Sequence, residues 1–588
     1  MSTAPTRLSL LSAGSDPGEQ YSPVPPGYTP GTTKYIVITG SVMSGLGKGI
    51  FSSGLARLLE DCGLRTNLIK MDGYFNEDAG TLSPYRHGEA FVLEDGTECD
   101  MDVGTYERFV NKSFSSLNIF TNGRLTQKVH ELERGGRFAG SDVQFYPHVT
   151  GEVIRFVRES ALAYKADVTL VEIGGTVGDE ENRTYISAMG DLAYREGERN
   201  VYFINLVWII EAAHLREQKS KAAQHGTALL MQMGIKPHML VCRAEHELQP
   251  GVQHKLADRL RIPRANVIDL HNLETIYLVP QHLRRQKVDR IVLDYFGQGR
   301  RAAGVEDPAW AQYVKDFLAP KDEIRIGLAG TYMGPRDMYA SIHNAFEHAG
   351  IRVRTRVRVV DVPSDRIEDG PAGEIGERAA AQLRGLDGIL VPSDFGRRGL
   401  EGGIACIRHA RAHGLPFLGI CHGFQAAIIE FARSALGLAQ AHTTEIAPDT
   451  PDPVIRLLLE QYEAEGISGG MRLGKRRVEL LPGSLAAQIY GGTEAFERFR
   501  HRYEFNPAYR ERFAEKGMVF SGWIPDHPVM QIAELPGHPF FLGVQFHPEF
   551  TSRPVNPSPV FVGFVKACIE HAARRLSLIH ISEHTRPY

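Results

Sequence analysis

KYIVITGSVMSGLGKGIFSSGLARLLED, residues 34–61, is the stretch on which the fold turns. An apolar, β-branched run (KYIVIT) leads through Gly40, Gly45, Gly47, Lys48 and Gly49 into the helical pattern IFSSGLARLLED. This is the context a phosphate-binding loop needs. Glycines let backbone N–H groups converge on phosphate oxygens, the helix start adds the positive end of its dipole, and Lys48 adds a charge. The pattern G-x-x-x-x-G-K-[ST] is met only in part, because Val42 stands where it has Gly and Gly49 where Ser or Thr helps to hold Mg²⁺. Taken alone, the stretch also reads as a glycine-rich turn between a strand and a helix.

Outward from this unit, short β-rich runs alternate with helical patterns: RTNLIKM (65–71), ADVTLVEIGG (166–175), NVYFINLVWI (200–209) and KPHMLVCR (236–243). The rhythm pauses at 296–321 and resumes with EIRIGLAG (323–330), RTRVRVVD (354–361), LDGILVP (386–392) and LPFLGI (415–420). Such alternation predicts α/β architecture built on parallel sheets. A length of 588 residues is too great for one hydrophobic core. The expected arrangement is two doubly wound parallel-sheet domains, residues 33–295 and 322–574, joined by a linker at 296–321. A Pro/Ser/Gly-rich tail at 1–32 is expected to be disordered. The ending LIHISEHTRPY reads as translated sequencing-adapter sequence, so residues 575–588 are expected to lie outside the fold.

Composition excludes several classes. Hydrophobic residues make up 43% and charged residues 23%, with a net charge of −4, which gives no sign of a nucleic-acid-binding surface. Six cysteines without a C-x-x-C pair indicate neither a disulfide framework nor a zinc site. The longest apolar runs are about half a membrane span, and the first 30 residues lack the apolar core of a signal peptide. A soluble protein of the reducing cytoplasm is expected.

With no hydroxyl at position 49, hard oxygen ligands for Mg²⁺ must come from elsewhere. Asp102, and Glu172 at the end of ADVTLVE, are the candidates, since a carboxylate at the C-terminal end of a buried strand lies on the ligand-binding edge of such a sheet. Lys70 could reach a phosphate. Each of these three also reads as an ordinary solvated side chain.

A second site is legible in FLGICHGFQ, residues 417–425. Gly419 and Gly423 flank Cys421 as glycines flank the serine of a nucleophile elbow, which would expose the sulfur near a helix N-terminus and lower its pKa. A thiolate nucleophile needs a base and an orienting acid. GVQFHPEF (543–550) supplies His547 and Glu549 on alternate residues, which in extended chain point to one side.

Seven motifs together resemble those of the CTP synthase family: TGSVMSGLGKG, NEDAGTLSPYRHGEAFVLEDGTECDMDVGTYERF, VEIGGTVGD, QKSKAAQHG, GICHGFQ, RHRYEFN and GVQFHPEF. The resemblance spans about residues 33–573. It implies an N-terminal amidoligase (synthase) domain that uses MgATP to phosphorylate the uracil O4 of UTP. It also implies a C-terminal class I glutaminase domain whose cysteine releases ammonia from glutamine, and an internal channel that delivers the ammonia to displace that phosphate. Carried over by position, it implies ATP binding by Ser44, Gly45, Leu46, Gly47, Lys48, Gly49, Lys70 and Asp102, with Asp102 and Glu172 holding Mg²⁺. It implies UTP or CTP binding by Asp179, Glu181, Lys219, Lys221, Gln224 and Lys255. Cys421 would be the nucleophile, His547 the base and Glu549 its partner, with Asp394, Gln425, Glu445 and Arg502 binding glutamine. GTP as allosteric activator and a homotetramer are also implied.

The chain departs from the family in places. The family's oxyanion loop P-G-G-F-G reads Pro392-Ser393-Asp394-Phe395-Gly396 here, His422 and Phe424 replace Leu and Met, and Ala222 and Ala223 replace a Pro and a Thr. The segment after VEIGGTVG reads Asp179-Glu180-Glu181-Asn182 in place of D-I-E-S. Two lost glycines raise the prospect of strained positive φ, at about 1–2 kcal/mol per residue, and of a carboxylate repelling the oxyanion. A slowed glutaminase is expected. Two alternatives follow from this drift: an amidoligase fed mainly by free ammonia or acting on a related nucleotide, and a catalytically weak assembly or regulatory paralogue.

Overall fold

A computed structural model describes residues 21–138, 141–212, 217–334, 336–369, 371, 373–394, 396–457, 470–525 and 527–584. The chain forms two compact units, residues 1–81 with 102–314 and residues 82–101 with 315–588.

The first unit is built on seven parallel strands. They are β1 (Lys34–Ser41), β2 (Thr66–Asp72), β3 (Ile119–Thr121), β4 (Val168–Ile173), β5 (Val201–Trp208), β6 (Met239–Ala244) and β7 (Val267–His271), in the order β7-β6-β5-β1-β4-β2-β3. Strands β1, β2 and β4 are buried almost throughout, as in a parallel sheet whose two faces are both covered. The phosphate-loop helix α1 (Lys48–Asp61) follows β1, and α2 (Lys221–Gln232) and α3 (Pro250–Leu260) flank β6 in sequence. Register places Ile38 and Lys70 on either side of Glu172, so the C-terminal ends of three adjacent strands deliver one charged cluster.

The second unit carries a nine-stranded mixed sheet. Strands β8 (Asp322–Gly330), β9 (Thr355–Pro363), β10 (Gly388–Val391) and β11 (Phe417–Ile420) are parallel, and so is β16 (Phe541–Val544). Beyond β16 the sheet continues antiparallel through β15 (His527–Glu534), β14 (Val519–Ile524), β12 (Arg472–Leu480) and β13 (Glu494–His501). Helix α4 (Ala340–Arg352) packs on β9, α5 (His422–Ala435) starts at the nucleophile, and α6 (Pro559–His584) closes the chain.

Four expectations about the chain's course are corrected. Residues 21–32 are packed, not disordered: Tyr21 donates to Glu152, Tyr28 donates to Glu196 at 2.9 Å, and Arg158 donates to the Pro23 carbonyl at 3.2 Å. Residues 1–20 of that tail lie outside the described residues. The 296–321 segment contains a helix, Pro308–Leu318, whose Trp310 is 1% exposed against Phe109 and Tyr277, because an aromatic triplet gains more by burial than a linker gains by solvation. Residues 82–101, inside the longest synthase motif, belong to the second unit. Finally α6 runs on to His584 through 575–584, since nothing in ARRLSLIHISEH breaks a helix, while 585–588 lie outside the described residues.

Candidate active sites

In the first unit, β1 ends and the loop begins at Val42, whose φ of 89° is the left-handed conformation that the usual glycine would adopt freely. The strain is that of a β-branched residue at positive φ, about 1–3 kcal/mol. Gly49 has a steric reason: a Cβ there would lie 2.6 Å from Asp102 Oδ1. The carboxylate of Asp102, in the first turn of helix Met101–Val110, fills the space where a hydroxyl side chain would stand. Ser44, Gly45, Leu46 and Gly47 form the loop, and Arg243 donates to the Leu46 carbonyl at 3.1 Å.

Lys48 Nζ donates to the Gly175 carbonyl at 2.7 Å, and burial lowers its pKa against the pull of Glu172. Lys70 is 5% exposed, which sets aside the alternative of an ordinary solvated strand-end lysine. Its ammonium pairs with Asp102 and lies 3.4 Å from Glu172 and 3.7 Å from Asp72. Glu172 accepts from Ser52 at 3.0 Å and from Tyr106 at 2.5 Å. Burial raises both Asp72 and Glu172. Asp72 Oδ2 has no hydrogen-bond partner among the described residues. Three carboxylates against two ammoniums, with a buried oxygen unsatisfied, fit a hard divalent cation.

The nucleotide-motif residues fall on one edge. Lys221 and Gln224 lie on α2, which packs against the end of β1 at Ser41, and Gln224 donates to Ser220 at 3.1 Å. Asp179 accepts from Thr176 N–H at 2.9 Å in a loop that touches α2 through Gly178 and Leu229. Glu181 is exposed two residues on, Lys219 pairs with Glu217 at 2.5 Å, and Lys255 stands exposed on α3, which packs against α2. A cavity of about 140 Å³ lined by Gly47, Ile50, Arg243, Ile276 and Val279 adjoins the phosphate loop. A cavity of about 920 Å³ opens at the N-terminal ends of β5, β6 and β7, the edge opposite Lys48.

In the second unit, Cys421 has φ 52° and ψ −102° at the head of α5, the strained turn of a nucleophile elbow. A Cβ at Gly423 would lie 2.0 Å from the Val391 carbonyl, so only glycine lets α5 seat against β10. The thiol is 5% exposed, not open to solvent as expected, and donates weakly to the Arg500 carbonyl at 3.5 Å. His547 and Glu549 lie in a turn just past β16, not in extended chain, and the turn itself brings His547 Nδ1 to 2.7 Å from Glu549 Oε1. His547 Nε2 has no hydrogen-bond partner among the described residues. Burial lowers the imidazole, but the Glu549 carboxylate and the neighbouring Cys421 sulfur outweigh it and push it up to about 10.

Family models for the CTP synthase N-terminus and for class I glutamine amidotransferases match residues 34–297 and 335–567. The CTP synthase of Methanopyrus kandleri is 44% identical over 91% of this chain and 98% of its own length. Those of Archaeoglobus fulgidus and Pyrobaculum aerophilum are 42% and 43% identical, at 92% and 91% of this chain and 99% of each relative. The chain belongs to the CTP synthase family. Its activity is that of a glutamine-hydrolysing ligase, the amination of UTP to CTP.

Around the CTP synthase glutaminase centre, Gln425 donates to the Tyr503 carbonyl at 2.9 Å and Gln545 to the sulfur at 3.5 Å. Glu445 is raised by burial and lowered in turn by Arg502, whose Nε is buried with no hydrogen-bond partner among the described residues. Neither Ser393 nor Asp394 is among the described residues with positive φ, so the expected conformational penalty is absent there. Phe395 lies outside the described residues.

Sequence reasoning missed Asp72, Arg243, Gln545 and the supports on the 82–101 segment. Of these, Asp72 could have been found, since it ends the same strand as Lys70. In that segment Glu98 pairs with Arg500 at 2.6 Å, and Phe91 packs edge-on to Phe550, which stacks on His547 at 4.8 Å. Further along β13, buried Glu497 accepts from Tyr490 at 2.7 Å and Thr551 at 2.9 Å, yet burial raises its carboxyl to about 7. A raised folded pKa contributes stability below about pH 4.5 that is lost as pH rises through about 7, here about 3 kcal/mol. Glu497→Gln is therefore expected to flatten the fall in unfolding temperature between pH 5 and pH 8.

No helix among the described residues is long and apolar enough to cross a membrane.

Proposed function

We propose that the two charged clusters divide the glutamine-dependent amination of UTP as follows. Cys421 is the nucleophile: its sulfur attacks the glutamine amide carbon, and the protonated His547 passes a proton to the departing nitrogen, so that ammonia leaves and a glutamyl thioester remains. Glu549 holds the imidazole by Nδ1 and stabilises its positive charge. Water activated by His547 then hydrolyses the thioester. Arg502 takes the glutamine α-carboxylate through its planar fork and Glu445 takes the α-ammonium, with Gln425 and the Asp394 loop completing the pocket.

In the first unit Lys48, Lys70 and the loop from Ser44 to Gly49 hold the phosphates of ATP, and Asp102 and Glu172, joined by Asp72, hold Mg²⁺. When bound, MgATP supplies the phosphoryl group that turns the uracil O4 into a leaving group. Lys219, Lys221, Gln224 and Lys255 take the UTP phosphates and base, and Asp179 and Glu181 the ribose side. The family resemblance brings GTP as allosteric activator and a homotetramer. Six free, buried cysteines suit the reducing cytoplasm.

The observation that carries this reading is the buried Arg502 Nε, which has no hydrogen-bond partner among the described residues, whose charge acts on buried Glu445, and which stands next in sequence to Tyr503, the acceptor of Gln425 on the helix that Cys421 heads. The test is glutamine-dependent CTP formation by Arg502→Ala. Its KM for glutamine is expected to rise about 100-fold, since a charge-assisted bidentate contact is lost, while its KM for ammonium in the same assay stays at the wild-type value. An unchanged KM for glutamine would reject the assignment of Arg502.

A further inference from the structure

Asp394 replaces a residue that the family's loop fills with glycine, and the replacement has been built into the fold. Its Oδ2 accepts the Thr331 N–H at 3.0 Å, where β8 ends, and its Oδ1 accepts the Tyr339 hydroxyl at 2.5 Å, just ahead of α4. Tyr339 is itself buried, and its oxygen receives the Tyr332 N–H at 3.4 Å. Both carboxylate oxygens are thus occupied by donors from segments other than the loop. The loop leaves β10 at Val391, whose carbonyl abuts α5 two residues past Cys421. What Asp394 fastens is therefore the chain beside the nucleophile.

We propose that Asp394 is a positioning residue of the glutaminase, whose carboxylate pins the Pro392–Asp394 loop to Thr331 and Tyr339 and so holds the loop's backbone donors beside Cys421. This rests on the reading of that loop as the oxyanion site. Burial raises the carboxyl to about 6, and the two donors work against that rise, which keeps the ionised acceptor at neutral pH. Restoring glycine would bring no relief of strain, because position 394 is not at positive φ. It would leave a buried N–H and a buried hydroxyl without their acceptor, which is the expensive direction for a hydrogen bond.

The signs of the two readings are opposite, which makes the experiment decisive. Glutamine hydrolysis is measured with the full chain for wild type, Asp394→Gly, Asp394→Asn, Tyr339→Phe and Asp394→Gly/Tyr339→Phe, with Cys421→Ala alongside. Asp394→Gly is expected to lower kcat about ten-fold, with a smaller change in the KM for glutamine. Tyr339→Phe should lower it in the same direction, the double variant should be no slower than Asp394→Gly, and Asp394→Asn, which keeps one acceptor oxygen, should recover part of the loss. If Asp394→Gly fails to fold, Tyr339→Phe carries the same test, because it removes one hydroxyl. Asp394→Gly or Tyr339→Phe at or above the wild-type rate would overturn the proposal and make the carboxylate an obstruction. Activity surviving in Cys421→Ala would instead overturn the site assignment on which it rests.

Discussion

Cys421→Ala is expected to lose CTP formation from glutamine by at least about 10⁴-fold while still forming CTP from ammonium chloride. The size follows from the route: without the sulfur no thioester forms, and what remains is binding and polarisation of the amide. The selectivity follows from the fold, since Cys421 belongs to one compact unit and the Lys48–Lys70 cluster to the other. His547→Asn should show the same pattern, because Glu549 can orient a side chain at 547 but cannot itself take a proton from the thiol across it. With the imidazole pushed up to about 10, His547 stays protonated through neutral pH and gives up its proton only as pH climbs towards that value. Glutamine-fed turnover should accordingly not fall between pH 7 and pH 9 through His547. Equal losses with glutamine and ammonium would show that Cys421 supports the fold of the whole enzyme and not one half-reaction.

The parts of this molecule written in local patterns were legible in its sequence. Strand, glycine turn and helix at 34–61 and at 417–435 carry their own propensities, and both sites sit where such units place ligands, at the C-terminal ends of parallel strands. Gly49 was visible as a departure, but its cause, the Asp102 carboxylate, is more than fifty residues away in the chain and enters from a different helix. Val42 looked like a missing glycine, although the backbone there keeps the glycine conformation and accepts the strain. Asp394 was the opposite case: the lost glycine suggested strain, and the backbone shows none because the loop is held by a side chain. The lodging of 82–101 in the second unit depends on a pairing across some four hundred residues, Glu98 with Arg500, and the antiparallel half of the second sheet on the pairing of β12 with β14 across the intervening β13, neither of which a local period encodes. Trp310 in a supposed linker was, like Asp72, an overlooked local sign, since a lone tryptophan on a helical repeat asks for a core.

Lys48→Ala is expected to abolish CTP formation from either nitrogen source, by at least about 10³-fold, and to leave glutamine hydrolysis measurable. Its ammonium lies at the turn between β1 and α1, held to the Gly175 carbonyl and within the field of Glu172. Lys70, the site's other ammonium, acts from the end of β2 and is held there by Asp102, Glu172 and Asp72, so it cannot take over the place of Lys48. Asp72→Asn separates two roles that Lys48→Ala cannot. If Asp72 serves only to neutralise Lys70, the amide should leave the Mg²⁺ requirement unchanged and cost little. If its unsatisfied Oδ2 completes the cation site with Asp102 and Glu172, the Mg²⁺ concentration for half-maximal rate should rise about 10–100-fold with both nitrogen sources. The second outcome is expected, because a buried carboxylate oxygen with no donor among the described residues, beside Asp102 and Glu172, is the kind of ligand that a hard cation answers.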